Sequence, residues 1–342
     1  MNLIPESNGL YKLKREGKFK GMPLIKRIIL GLVAIIILGV LSQSISNFIG
    51  NEKIESKLTY AKIDNKKLEY DLKGEGDYTV IFDGSLGTNL YEWNNVTQEI
   101  QEQLNVKTFV YNRRGYGFSD LGDKKTPKEQ AEDLRILIRK AGVSGNIILV
   151  GEEYGSLVMT NYAQMFPESV KGVVLIDPYN EAEIKTEEFR NSIKNDYLRS
   201  KGETVGCYFG VTMLLDKFNL ARSYKQFEDS LEDMDKTEYL VQKTNKKYRQ
   251  AVEDELANLI NYDESSQVDK MLEGKPLYII SRKENDSLTK LGNEELTNLY
   301  VTSTRAQIIS IGEQETVING ISDVLKEARK IEKKASKNNQ EK

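Results

Sequence analysis

The sequence predicts an α/β protein with a mostly parallel, doubly wound sheet, a helical lid and one N-terminal transmembrane helix. Short apolar runs rich in β-branched residues alternate with amphipathic helical runs, which is typical of parallel strands buried on both faces. This alternation stops between residues 181 and 273, and a long uncharged stretch lies near the N-terminus. Strands that alternate with helices indicate a doubly wound sheet.

The uncharged stretch covers residues 28–51 and predicts a membrane anchor. Its first part, 28–41, contains only Ile, Leu, Val, Ala and Gly. As a helix the whole stretch would be about 36 Å long, which is enough to cross a bilayer. Basic residues cluster before it, between Lys12 and Arg27. We therefore expect a single-pass protein of the cell membrane, with residues 1–27 in the cytoplasm and the C-terminal domain outside it.

An alternative for the same stretch is a cleaved signal peptide. The apolar core 28–41 is short enough for one, and Ser42-Gln43-Ser44 offers a small-x-small cleavage site. We expect retention in the lipid bilayer, because the uncharged stretch continues through Ile45 and Phe48.

Composition limits the classes of function. The chain is 39% hydrophobic and 30% charged with a net charge of −3, which is typical of an ordinary globular domain and offers no basic face for nucleic acid. It contains no histidine and one cysteine, Cys207, so that an intrachain disulfide and a His- or Cys-based metal site are excluded. We predict no metal and no cofactor.

The apolar runs predict eight strands. The first two flank Asp64-Asn65-Lys66, a sequence that favours a hairpin turn. The later ones are short and rich in β-branched residues. The predicted strands are 58–63, 68–72, 78–82, 108–111, 147–150, 172–176, 276–280 and 307–311.

A well-marked helix is predicted before the fifth strand. Thr126 and Glu129 have the spacing of a capping box, and Pro127 takes the first helical position. Apolar residues follow at helical spacing until Gly142, which ends the helix.

The break at 181–273 divides the globular part of the chain. Rich in charged residues and Tyr, with apolar clusters at helical spacing, this segment is interpreted as a helical lid over the carboxyl ends of the strands, where α/β sheets bind ligands. An ordinary helical excursion packed on the sheet fits the same pattern. The core is then formed by residues 52–180 and 274–335, with a final helix at 316–335 and a polar tail at 336–342.

The pentapeptide Gly151-Glu152-Glu153-Tyr154-Gly155 lies between a predicted strand and a predicted helix. This is the position of a nucleophile elbow, whose tight turn requires small residues two before and two after its centre. Gly151 and Gly155 satisfy that requirement. A serine hydrolase has Ser at the centre and a His to activate it, whereas this chain has Glu153 and no His.

Four segments together resemble the α/β-hydrolase family, in particular its membrane-anchored bacterial members. The likeness covers most of residues 57–335. The segments are the run from Val80 to Gly87 followed by Trp93, the run from Tyr111 to Asp120, the elbow, and the run from Phe166 to Asp177.

The resemblance implies positions for the catalytic groups. Backbone N–H groups near Ser85 or Leu86, and at Tyr154, would form an oxyanion hole, although the glycines around Ser85 equally suit a simple tight turn. The acid of the triad would lie after the predicted strand 276–280, where Glu284 and Asp286 are available, and Asp286 is the candidate equivalent. The position of the histidine would correspond to Glu313, in a 312–315 loop that looks shortened. The resemblance therefore implies a degenerate triad.

Glu153 itself has two interpretations. Haloalkane dehalogenases and epoxide hydrolases of this family use a carboxylate, normally Asp, as nucleophile, but their ester intermediate needs a water activated by histidine. Glu is also one methylene longer, and a displacement of about 1 Å can cost about a hundredfold in rate. We favour the second interpretation, in which Glu153 stabilises the start of the next helix as an anion.

Convergence of Asp83, Glu152 and Glu153 at the strand ends would provide a cation site. We expect instead that Glu152 forms a salt bridge and that Asp83 faces solvent.

The sequence therefore predicts a non-catalytic binding or regulatory protein whose lidded pocket or lid surface holds an unknown small ligand or partner protein. The alternative is a hydrolase that acts on ester-like small molecules through an unusual carboxylate mechanism. A tethered structural protein is a third class that fits the same features.

Overall fold

An eight-stranded sheet forms the centre of the part of the chain that the structure, a computed structural model, describes: residues 23–54 and 59–340. The strand order is β1-β2-β4-β3-β5-β6-β7-β8. Pairing is antiparallel for β1 with β2 and for β2 with β4, and parallel elsewhere. The strands are β1 Thr59–Ile63, β2 Lys66–Lys73, β3 Tyr78–Asp83, β4 Lys107–Tyr111, β5 Asn146–Glu152, β6 Val170–Ile176, β7 Leu277–Ser281 and β8 Thr297–Val301.

The predicted mostly parallel, doubly wound sheet is confirmed. The chain steps from β3 to β4 on one side and returns to β5 on the other side of β3. Strand order therefore reverses at β3 and β5, and their carboxyl ends flank the crevice where α/β sheets bind ligands. Asp83 ends β3 and Glu152 ends β5.

Helices cover both faces of the sheet. Because successive side chains of a strand point to opposite faces, Val80 and Phe82 pack in one apolar core, whereas Ile81 packs in the other. The first core includes side chains of α2 (Asn94–Leu104) and α12 (Gln314–Gln340), and the second those of α3 (Pro127–Lys140) and α4 (Tyr154–Met165).

Helix α3 begins as the sequence predicts. The Thr126 side chain accepts a hydrogen bond from the Glu129 N–H, and the Glu129 carboxylate accepts one from the Thr126 N–H at 2.8 Å. Pro127 occupies the first turn. The capping box is confirmed.

The lid segment 181–273 lies between β6 and β7 and carries helices of varied length, of which α6 and α10 pack against each other. The buried Arg249 of α10 donates to Glu203 of α6 at 2.8 Å. The helices are α5 Glu181–Ile184, α6 Glu187–Cys207, α7 Val211–Lys217, α8 Lys225–Ser230, α9 Asp233–Gln242 and α10 Lys246–Ile260.

The predicted strand at 307–311 is wrong. This segment contains the short helix α11, Ile309–Gly312, and the last strand is β8, Thr297–Val301. The run 307–311 looks like a buried strand because it contains the buried residues Ile308 and Ile309. These residues are buried at the start of α11 instead of in a strand. As the edge strand, β8 is half-exposed and its sequence TNLYV lacks a continuous apolar run.

The final helix is longer than predicted. Helix α12 continues to Gln340, through most of the predicted polar tail 336–342. The side chains at residues 333–338 are solvent-exposed, and the Lys, Ser and Asn residues there are compatible with an exposed helix. Residues 341–342 lie outside the described residues.

Helix α1, Leu24–Ile54, precedes the sheet and includes the whole predicted segment 28–51. Its window Leu24–Leu41 is long and apolar enough to cross a membrane, a property that signal sequences near an N-terminus share. The apolar side chains described in this window are exposed. The predicted basic segment lies, up to residue 22, outside the described residues, as does the start of the first predicted strand at residue 58.

We expect Thr126→Ala to lower the free energy of unfolding by about 1 kcal/mol, because the substitution removes the side-chain acceptor at the start of α3. Thr126→Ser keeps the hydroxyl and should leave stability within about 0.5 kcal/mol of the wild type. Urea denaturation of both variants measures the difference. Equal stability of the two variants would contradict the capping role.

Candidate functional site

The turn between β5 and α4 has the geometry of a nucleophile elbow. Glu153, at its centre, has φ 46° and ψ −112°, a backbone conformation that costs a non-glycine residue about 1–3 kcal/mol. A Cβ at Gly151 would lie 2.8 Å from the Gly155 carbonyl oxygen, and one at Gly155 would collide with the Asp83 carbonyl. Both glycines therefore allow the backbones of β3, β5 and α4 to touch.

The predicted oxyanion hole lies beside Glu153. The Leu86 N–H favours the charged form of the Glu153 carboxyl and lowers its pKa, against the larger effect of burial. The Ser85 N–H is turned away and donates to Glu92 at 3.0 Å. The Tyr154 N–H, at the first position of α4, has no carbonyl within its own helix to bind. One of the predicted donors, the Ser85 N–H, is thus occupied by another carboxylate of the protein.

The expectation that Glu153 caps α4 as an anion is wrong. Its side chain makes no capping hydrogen bond. Burial and the neighbouring Glu92 raise the pKa of Glu153 to about 7, and the nearby Arg282 and Arg222 only partly offset this. Burial therefore disfavours the charged form of Glu153 by more than the partial positive charge at the start of α4 favours it.

Glu153 belongs to a carboxyl cluster, formed by Glu92, Glu152 and Glu153. Glu152 accepts the Ile309 N–H at 2.6 Å and the Ser310 N–H at 3.1 Å. Glu92 binds the Ser85 N–H and hydroxyl groups of neighbouring residues. Burial, together with repulsion by Glu92, raises the pKa of Glu152 well above its ordinary value, and burial raises that of Glu92.

The expected positions of Glu152 and Asp83 are both wrong. Glu152 is held by backbone N–H groups rather than by a salt bridge. Asp83 is 1% exposed, forms an ion pair with Arg113 and accepts the Tyr111 hydroxyl at 2.6 Å. Because its carboxylate is committed to Arg113, Asp83 does not join the other two carboxylates around a cation.

Arg113 connects the loop after β3 to the lid. Its guanidinium donates to Glu255 of α10 at 2.7 Å and to the carbonyl oxygens of Gly84 and Ser85 at 2.9 and 3.1 Å. It also stacks on Tyr154, 5.1 Å from the ring centroid. Sequence reasoning missed this role, although Arg113 lies two residues after the end of β4, within a family-like segment.

Tyrosines of the lid fill the space over the same loop. The Tyr248 hydroxyl donates to the Gly87 carbonyl at 2.6 Å, and the Tyr239 hydroxyl lies 3.0 Å from that of Tyr248. The ring of Tyr224 lies so close to Gly87 that an added Cβ would collide with it. From the core side, Tyr116 accepts the Gly87 N–H at 3.2 Å. The cleft above the elbow is therefore packed with side chains.

A groove of about 390 Å³ lies at the opposite end of the strands. Its lining includes Val170 at the start of β6 and Gly274 before β7. It is therefore remote from Glu153, which follows the carboxyl end of β5.

Asp286 and Glu313 are engaged in local structure. Asp286 accepts the Leu288 N–H at 3.0 Å and the Ser281 hydroxyl at 2.8 Å. Glu313 accepts the Thr302 hydroxyl at 2.7 Å. Because β8 ends at Val301, the connection to α12 covers residues 302–313, and the prediction of a shortened loop is wrong.

Sequence reasoning also missed the cations near Glu153. Arg282 follows β7 directly and pairs with Asp177, which follows β6 directly. Both residues come immediately after a buried strand, at the carboxyl edge of the sheet where α/β proteins bind ligands. This position in the sequence could have indicated Arg282 and Asp177 as site residues.

Comparison with known families agrees with this geometry. The family model described as alpha/beta hydrolase fold matches residues 78–291. The chain belongs to the alpha/beta hydrolase fold family. The match covers β3 to β7 and includes the elbow and the lid.

Individual relatives are distant. The uncharacterized protein YqjL of Bacillus subtilis (strain 168) is 28% identical over 107 residues, 31% of this chain and 42% of that protein. A cis-3-alkyl-4-alkyloxetan-2-one decarboxylase of Shewanella oneidensis is 28% identical over 115 residues, 32% of this chain and 35% of that protein. The matches thus span less than half the length of these relatives.

Among solved structures, the Cif epoxide hydrolase from Acinetobacter nosocomialis is similar, with a TM-score of 0.63 and 14% identity. The likeness covers 83% of this chain and 96% of the epoxide hydrolase. At this identity the likeness shows the fold alone.

We expect Glu153→Gln to stabilise the protein in a pH-dependent way. Below about pH 3.5 the carboxyl is protonated in both states, so the substitution should change little there. As the pH rises, the unfolded state ionises first and the folded state only near pH 7, so that the wild type loses stability over this interval. Above pH 8 the variant should be more stable by about 1–3 kcal/mol.

Chemical denaturation at pH 5 and pH 8 measures this difference. Glu168→Gln, at an exposed position before β6, is the matched control and should show no such dependence. A Glu153→Gln variant that is less stable at pH 8 than the wild type would restore the anionic-cap interpretation.

Proposed function

We propose that this protein is a membrane-anchored, non-catalytic member of the alpha/beta hydrolase fold family. In this proposal it binds or regulates through the surface of its lid rather than by turnover in the cleft. The observation that carries it is the Glu153 carboxyl, which stands at the nucleophile position of an elbow in a chain that has no histidine.

The missing proton-transfer groups support a non-catalytic role. Hydrolysis through an elbow nucleophile needs a base, usually His, to activate the nucleophile or a water, and the chain has no histidine. Asp286 and Glu313, at the positions that the family's triad would use, accept hydrogen bonds from their own loops. The other carboxyls beside Glu153 are Glu92 and Glu152, and both are committed to backbone N–H groups.

The filled cleft supports the same proposal. A small-molecule site is normally a concave, open pocket of about 300–1,000 Å³. Here Tyr224, Tyr239 and Tyr248 pack onto the loop at Gly87, and Arg113 holds that loop to α10. These side chains restrict the space beside Glu153, whose side chain remains partly exposed.

One observation favours the alternative, a hydrolase with a carboxylate mechanism. A pKa of about 7 would let Glu153 exchange a proton near neutral pH. Glu153→Gln removes this carboxyl while keeping its shape, and it therefore distinguishes the two proposals.

We expect the purified full chain to show no turnover of short-chain esters or simple epoxides and no labelling by a fluorophosphonate probe, because Glu153 offers no hydroxyl. Glu153→Ser should also stay inactive, since a new serine would lack a base. Glu168→Ser is the matched control for the loss of an acidic residue. Ester or epoxide hydrolysis by the wild type that is abolished in Glu153→Gln would overturn the proposal and favour the alternative.

Membrane anchoring is supported by helix α1 and by the basic residues that precede it. Protease added to wall-free cells that express the full chain should digest the domain from Thr59 onward without lysis. Digestion only after lysis would reverse the orientation. A released domain that begins near Ile45 would instead establish the signal-peptide alternative.

A further inference from the structure

We propose that the lid carries a membrane-docking face that lies on the outer leaflet of the bilayer crossed by α1. We define the docking face as the exposed apolar side chains of the end of α6, of α7 and of the segment that follows α7. This inference rests on the proposed membrane anchoring and goes beyond it, because it assigns a second, peripheral contact with lipid. The face consists of Val205, Tyr208, Phe209, Val211, Leu214, Phe218 and Leu220.

The apolar side chains of the docking face are strongly exposed to solvent. Phe218 is 68% exposed, Leu220 60% and Tyr208 55%. Single exposed apolar residues are common on soluble domains, but a contiguous apolar patch indicates an interaction surface. The exposure of Phe209 remains at 45% with α1 in place, so α1 does not cover the face.

Most of the face comes from an uncharged run, and the acidic residues at the two ends of that run, Glu203 and Asp216, are paired with Arg249 and Lys243. Residues 204–215 contain no Asp, Glu, Lys or Arg, although 30% of the chain is charged. Charged residues are costly in the acyl region of a bilayer and tolerable at its edge. Lys201 and Lys217 flank the uncharged run and are exposed, and Lys246 lies 4.3 Å from the ring centroid of Tyr208. Such a basic rim is suited to anionic headgroups.

Helix α1 meets the lid at this face. The backbone of Gly39 in α1 lies against the turn between α6 and α7, and a Cβ at Gly39 would lie 2.6 Å from the Phe209 carbonyl oxygen. A Cβ at Gly210 would collide with the backbone of Gly39. Glycine at both positions allows this approach, which is the kind of small-residue contact that packs helices in membranes.

The position of Gly39 along α1 determines the depth of this contact in the bilayer. Gly39 is two residues from the carboxyl end of the apolar window Leu24–Leu41, and Ser42, Gln43 and Ser44 follow that window in the sequence. In this proposal the window itself, about 27 Å long as a helix, crosses the acyl region, and the rest of the uncharged stretch up to residue 51 lies outside it. With the N-terminus in the cytoplasm, that end of α1 leaves the bilayer on the outer side. The turn at Gly210, and with it the docking face, then lies at the outer membrane–water interface, where amphipathic surfaces insert by about 5–10 Å. The bilayer is therefore the occupant that this geometry favours over a soluble partner.

The test uses the full chain, with Cys207→Ser as background, reconstituted in vesicles of phosphatidylcholine and phosphatidylglycerol. An environment-sensitive fluorophore is attached to one new cysteine at a time: Phe218→Cys or Leu220→Cys on the docking face, Leu38→Cys in α1, and Glu168→Cys as the control. Glu168 is exposed before β6, at the amino ends of the strands and away from the lid. Lipid with a nitroxide high on its acyl chain quenches fluorophores that contact the bilayer.

We expect labels at 218, 220 and 38 to be quenched at least threefold more strongly than the label at 168. In a Phe209→Glu, Leu214→Glu variant, quenching at 220 should fall toward the value at 168. Quenching at 38 but not at 218 and 220 would overturn the docking face while leaving the anchor intact. Absence of quenching at 38 as well would overturn the anchor itself. Energy transfer between lid labels of different molecules, without lipid quenching, would overturn the proposal in favour of a second copy of the chain.

Discussion

The buried guanidinium of Arg113 is the interaction on which the site depends. It lies between two carboxylates, Asp83 at the end of β3 and Glu255 in α10, and it also binds the carbonyl oxygens that lead to the Gly87 loop. Burial raises the pKa of both carboxyls, and Arg113 opposes that shift in each. Removing one partner of a buried ion pair typically costs about 3–5 kcal/mol, because the other charge is left uncompensated. The lid is therefore bound to the core by charge as well as by apolar contact.

The backbone geometry of the elbow does not depend on which side chain stands at its centre. The strained backbone at Glu153 persists because the packing at Gly151 and Gly155 requires it, whatever side chain stands at the centre. With Glu at that centre, the side chain adds a third acid to Glu92 and Glu152. In the proposed function, the interior of the lid closes the cleft, and its outer surface is what remains available for binding.

Much of the fold could be predicted from local sequence, whereas the contacts of the site could not. The buried strands and the Thr126 capping box have signals within a few residues of each other, and they were predicted correctly. The edge strand β8 was missed because half-exposed strands lack a continuous apolar run. That error led to the wrong prediction of a shortened loop at 312–315. The pairing of Arg113 with Glu255 joins residues 142 apart in the chain, and no local pattern encodes such a contact.

The direct test of this account is whether Arg113 and Glu255 keep the Gly87 loop closed, measured by amide hydrogen exchange. In the wild type, the amide of Gly87 should exchange as slowly as those of the buried strand β5, because it donates to the buried Tyr116 hydroxyl inside the packed cleft. Glu255→Gln removes the charge that holds Arg113 and should speed exchange in this loop at least tenfold, whereas Glu253→Gln on the same helix should not. Fast exchange in the wild type, or equal rates in all three proteins, would contradict a cleft held shut by this ion pair.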